Sequence, residues 1–138
     1  MATKQGIRAL ATAPLAPFKH ERVTVPEWVQ DGKPVTVTIR QMTAGDWIDY
    51  RAAIARARDA AGLEPGEASE VPVNVIPATA LVLVRTLFND AGKRELTDRD
   101  ADDVAASFSD VHGRLVDKAF ELSGINAGKD EVAEAGND

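Results

Sequence analysis

The chain has two histidines, His20 and His112, and no cysteine, so acid–base chemistry near neutral pH rests on two side chains and thiol chemistry is excluded. A catalytic nucleophile needs an oriented base beside it. His20 sits in the polar run FKHER at the entrance to a strand-like pattern, and His112 in the first turn of a helix-like one, so both read as surface or capping residues. The run DRDADD offers Asp98, Asp100 and Asp102 at the spacing of a calcium loop. It puts Asp103 where such a loop needs its turn glycine and Ser109 where it needs its closing glutamate, and is better read as aspartates facing a helix dipole. GINAGKD is one residue short of a phosphate loop, follows its lysine with Asp130 instead of Ser or Thr, and has no strand before it. The sequence thus predicts no catalytic residue, no metal and no cofactor.

Residues suited to recognition remain. Arg51, Arg56 and Arg58 form a basic cluster on one helix that could meet an acidic partner, and Trp28 stands beside Pro26 on a hairpin; these four are the candidate partner-binding residues. Arg85, the one charge in the most apolar segment, either snorkels at an edge or pairs with an acid.

Composition narrows the partner. The 138 residues carry a net charge of −6, which repels phosphate backbones and argues against nucleic acid. The most apolar stretch, Ile76 to Phe88, is far shorter than the ~20 residues of a membrane-spanning helix. The prolines of ALATAPLAPF argue against a signal peptide. A cysteine-free acidic chain fits a reducing cytoplasm. With aromatics at 5%, the core falls to Ala, Val, Leu and Ile, with Trp28, Trp47, Phe88, Phe108 and Phe120 as anchors.

The elements that must position these residues follow from periodicity. Residues 1–17 have no sustained period, and the spacing ATAPLAP predicts a flexible, extended arm. Val23 and Val25 alternate with polar residues, as do Val35, Val37 and Ile39, and Asp31-Gly32 between them is a hairpin turn signal. A strict two-residue turn would set Val25 against Thr38, so the first strand needs a bulge near Pro26 and Glu27. Thr43 to Asp46 opens a helix as a capping box, and Trp47, Tyr50, Ile54, Ala57 and Ala61 form its apolar stripe until Gly62. Residues 63–74 read as a long surface loop. Ile76 to Phe88 predicts a central helix with Pro77 in its first turn, stopped by Asn89 to Gly92. Thr97 caps a third helix bearing Val104 and Phe108. A fourth begins after Ser107 or Ser109 and ends at Gly124, with Ile125 folding onto Phe120. Residues 126–138 form an acidic tail predicted to be disordered.

The order of these pieces resembles the tail assembly chaperone family of long-tailed bacteriophages. The resemblance runs from about Val23 to Asn126. It rests on Val25-Pro26-Glu27-Trp28, on Met42-Thr43-Ala44 leading into a helix, on the segment Asp90 to Asp98 with one extra residue before its leucine, and on Leu122-Ser123-Gly124-Ile125-Asn126. It implies an α+β fold, an N-terminal β-hairpin packed on three to four helices, with residues 18–125 as one domain between the arm and the tail. It also implies a non-virion protein of the host cytoplasm that binds and solubilises the tape measure protein and helps recruit tail tube subunits, with self-association left open. The rival reading is a structural component of the tail or neck. The long N-terminal arm and the loop from Gly62 to Asn74 depart from the family pattern.

Overall fold

The computed structural model describes residues 6–64, 66–68 and 73–125, so the acidic tail expected over 126–138 lies outside the described residues. Its elements are α1 (Ile7–Thr12), β1 (His20–Gln30), β2 (Lys33–Arg40), α2 (Ala44–Ala60), α3 (Ile76–Thr86), β3 (Leu87–Asn89), a 3-10 turn (Asp98–Asp100), α4 (Ala101–Ala106) and α5 (Asp110–Leu122). This is an α+β fold whose three-stranded antiparallel sheet has the order β1-β2-β3.

Asp31 and Gly32 take φ of 53° and 75°, the two positive values that a type I′ hairpin turn requires. Pairing starts at Gln30 with Lys33 and Val29 with Pro34, then resumes at Val25 with Val35. Pro26, Glu27 and Trp28 therefore bulge out of the ladder, which returns Val25 to the face of Val37 and Ile39. That face meets Val82 and Leu83 of α3 and Leu115, Val116, Ala119 and Phe120 of α5, which together form the core. Arg114 holds the bulge to α5 through two bonds to Glu27 of 2.6 and 2.7 Å, and this pairing keeps the Glu27 carboxyl down at about 2.

Two expectations need correction. The central helix does not reach Phe88: it stops at Thr86, Leu87 turns extended, and Leu87 to Asn89 pair with Ile39 to Val37 as a third strand. The open edge of β2 supplies backbone partners that a further half-turn of helix would have forgone. The N-terminal arm is not extended throughout either, because residues 7–12 form a short helix with every residue exposed. Beyond it the chain is fastened: Pro14 accepts a bond from Arg40 at 3.2 Å, Leu15 lies against Gly92, and Phe18 stacks on Arg40.

Arg40, which ends β2, points into a cluster of charge. Its guanidinium lies between the rings of Phe18 and Phe88, 5.3 and 5.1 Å from their centroids. It donates to Asp46 at 3.1 Å and to the carbonyl of Arg85 at 2.8 Å. Burial pushes its pKa down, while Asp46 opposes that shift. Asp46 also closes the Thr43 capping box of α2 and takes Arg85 at 3.4 Å. Arg85, paired with acids as one of its two readings held, reaches on to Asp49 at 2.5 Å and grips Asp98 with two nitrogens. These bonds raise its pKa above the ordinary arginine value, and the bond from Arg85 holds the Asp98 carboxyl below the ordinary carboxylate value. Arg94 completes the set, bonding Asp98 at 3.1 Å and the carbonyl of Val84 at 2.8 Å. In DRDADD, Asp98 is thus engaged with two arginines and Asp100 accepts from the Thr97 N–H, so these two aspartates serve the fold.

At the start of α5 the Ser109 N–H donates to His112 Nδ1 at 2.9 Å, which requires an unprotonated Nδ1. The ring lies between Trp28 and Phe108, at centroid distances of 5.9 and 5.4 Å, and burial pushes its pKa down.

Two predictions follow from these contacts. Removing Asp46 strands the buried Arg40, takes one of three carboxylates from Arg85 and opens a helix cap, so Asp46→Ala should cost about 3 kcal/mol or more in urea unfolding, whereas Asp49→Ala, at the half-exposed end, should cost about 1 kcal/mol or less. Equal losses would refute the hub. His112 is neutral in the folded chain below the pH at which the unfolded chain protonates, so its contribution is complete above about pH 6.5 and falls as pH drops through that value. The melting temperature of the parent should therefore drop more between pH 7.5 and 5.5 than that of His112→Gln, whose amide keeps an acceptor without titrating. Parallel curves would exclude the cap as the cause.

Candidate partner-binding surfaces

The apolar stripe of α2 is not sealed into the core. Asp46 is the buried residue of this helix, while Trp47, Tyr50 and Ile54 remain half-buried. Trp47 and Tyr50 stack at 5.6 Å, and Tyr50 meets Phe120 of α5 edge-on at 5.4 Å. The stripe therefore touches the core along one side and leaves the other accessible. After Gly62 the chain doubles back, with the Leu63 N–H donating to the Arg58 carbonyl at 3.0 Å and the Arg58 side chain donating to the Glu67 carbonyl. Leu63 and Glu64 thereby form a second wall. The result is an open groove of about 770 Å³ with Trp47, Tyr50, Ile54 and Leu63 as its apolar lining.

The four candidate residues do not form one site. Arg51 and Arg58, seven residues apart and so on one side of the helix, line this groove, and Arg51 also lies over the Trp47 ring at 5.9 Å. Arg56 is exposed on α2 away from the lining. Trp28 lies on the hairpin against His112 and lines a separate groove of about 900 Å³ at the sheet edge, with Val35, Val37, Leu87 and Leu96. Sequence reasoning missed this second groove because it is built around β3, which periodicity assigned to a helix. It also passed over Arg40; the signal was a charge at the end of an alternating strand, three residues before a helix cap. His20 is exposed and its Nδ1 lies 2.8 Å from the Phe18 carbonyl, which leaves it local. Among the described residues no cluster of His, Asp or Glu has the geometry to hold a metal, and no helix is long and apolar enough to cross a membrane.

The chain is similar in fold to the tail assembly chaperone of bacteriophage HK97, with a TM-score of 0.61, 22% identity, and coverage of 84% of this chain and 95% of that one. No curated protein sequence matches it significantly. The family model described as phage tail assembly chaperone matches residues 6–136, nearly the whole length. The chain belongs to the phage tail assembly chaperone family.

Proposed function

We propose that this protein acts in the host cytoplasm by binding the tape measure protein and keeping it soluble, helps recruit tail tube subunits, and does so without catalysis. The observation that carries the reading is the α2 groove. An accessible aromatic and aliphatic trough between a helix and a returning loop suits the apolar face of an amphipathic helix, the face that a long helical protein exposes before it assembles. Arg51 and Arg58 on the rim would meet acidic residues flanking that face. Arg56, on the far side of α2, would add to the attraction of an acidic partner without touching it. The net charge of −6 would repel one coated complex from another and so oppose precipitation.

The test is co-expression with the tape measure protein of the same phage. The parent chain should convert it from aggregated to soluble. Ile54→Asp, which places a charge in the groove, should abolish this, and Arg51→Glu with Arg58→Glu should weaken it, while His20→Ala leaves it intact. Circular dichroism and melting temperature near the parent's would confirm that the groove variants stay folded. Solubility indifferent to this chain would sink the reading. Stoichiometric amounts of the chain in purified virions would replace it with a structural role in the tail or neck.

A further inference from the structure

The groove of α2 carries positive charge that its surroundings do not neutralise. Arg22, Arg40, Arg85, Arg94 and Arg114 each hold a carboxylate, whereas Arg51, Arg56 and Arg58 form no ion pair among the described residues. Arg51 lies over the Trp47 ring and Arg58 donates to a backbone carbonyl, so both charges on the groove lining lack a counter-charge. A cationic rim above an apolar lining calls for an acidic, partly apolar cover.

The chain itself carries such a segment. Residues 126–138 hold Asp130, Glu131, Glu134 and Asp138 against the single Lys129, and these acids bracket Val132, Ala133 and Ala135. The segment also starts in the right place. Ile125 folds back on the end of α5, its N–H donating to the Phe120 carbonyl at 2.8 Å, and the Phe120 ring meets Tyr50 in the groove wall. Thirteen residues follow Ile125. At about 3.3 Å each they reach roughly 40 Å, while Trp47 to Arg58 spans only about 17 Å of helix.

We propose that residues 126–138 cover the α2 groove of their own chain, with Val132 and Ala133 toward the apolar lining and the acids toward Arg51 and Arg58, and that a partner helix displaces them. The displacement rests on the reading of this groove as the partner site. A tethered segment acts at an effective concentration on the order of 1 mM, so a contact too weak to hold two separate molecules is enough to cover the groove. Such a cover turns away weak occupants and yields to a long helix that buries more apolar surface.

The absence of native cysteines makes disulfide trapping clean. The full chain carrying Ile54→Cys and Ala133→Cys should, under mild oxidation, close an internal bridge as a monomer, well above the yield of Arg56→Cys with Ala133→Cys. Salt at about 1 M should lower that yield, because charges are then screened within about 3 Å. In a second arm the four acids are neutralised by Asp130→Asn, Glu131→Gln, Glu134→Gln and Asp138→Asn. A soluble segment of the tape measure protein of the same phage should bind this variant about tenfold more tightly than it binds the parent. Trapping needs no tape measure protein, so the two readings fail separately: a segment that binds neither chain overturns the partner assignment, and the bridge still decides whether residues 126–138 cover the groove. A bridge yield no higher than the control, bridges formed between chains instead of within one, or equal measurable affinity of parent and neutralised chain for the segment would each overturn the proposal.

Discussion

A carboxylate that two arginines share, out of reach of most solvent, is the point on which the rest of this structure depends. Asp46 is 7% exposed, and around it Arg40, Arg85 and Arg94 balance Asp46, Asp49 and Asp98. Such a group is costly to desolvate and is tolerated only when every charge finds its counterpart. The balance therefore specifies geometry more than it adds stability. The end of β2, the first turn of α2, the last turn of α3 and the 3-10 turn must all arrive at one place, or a buried charge is left unpaired. The arm joins the same cluster, since Phe18 stacks on the Arg40 guanidinium and Pro14 accepts from it.

This arrangement explains why α2 can present an apolar groove without being pulled into the core. An amphipathic helix is normally held by burying its apolar stripe. Here the N-terminal end is pinned by the capping box and by Arg40 and Arg85, while Trp47 and Tyr50 lean against the core from its edge, Tyr50 edge-on to Phe120. Anchoring by charge lets Trp47 and Ile54 remain half-buried, where they are accessible to the proposed partner.

Much of this was legible in the residues. The type I′ turn followed from Asp31-Gly32, the bulge from the mismatch between Val25 and Thr38, and the capping box from Thr43 and Asp46, because each is dictated within a few positions. What failed did so where distant groups decide. Leu87 to Asn89 continue an apolar run that suits helix or strand, and only the open edge of β2, some fifty residues earlier, selects the strand. The stripe of α2 holds from Trp47 through Ala57, with Ala61 exposed just past the helix end, but how deeply it is buried depends on how α3 and α5 pack. Likewise Arg51, Arg56 and Arg58 read as one cluster along the sequence, while the helical turn and the returning loop separate Arg56 from the other two. The family was recognisable through residues that shape the fold, Val25-Pro26-Glu27-Trp28 and Leu122 to Asn126.

The central claim is that the face of α2, and not some other surface, receives the tape measure protein. Amide hydrogen exchange of this chain, free and in complex with a soluble segment of that protein, tests it most directly. The account predicts new protection concentrated from Trp47 to Leu63, with the β1 amides unchanged. Protection confined to the sheet or to α5, with α2 exchanging as in the free chain, would contradict it.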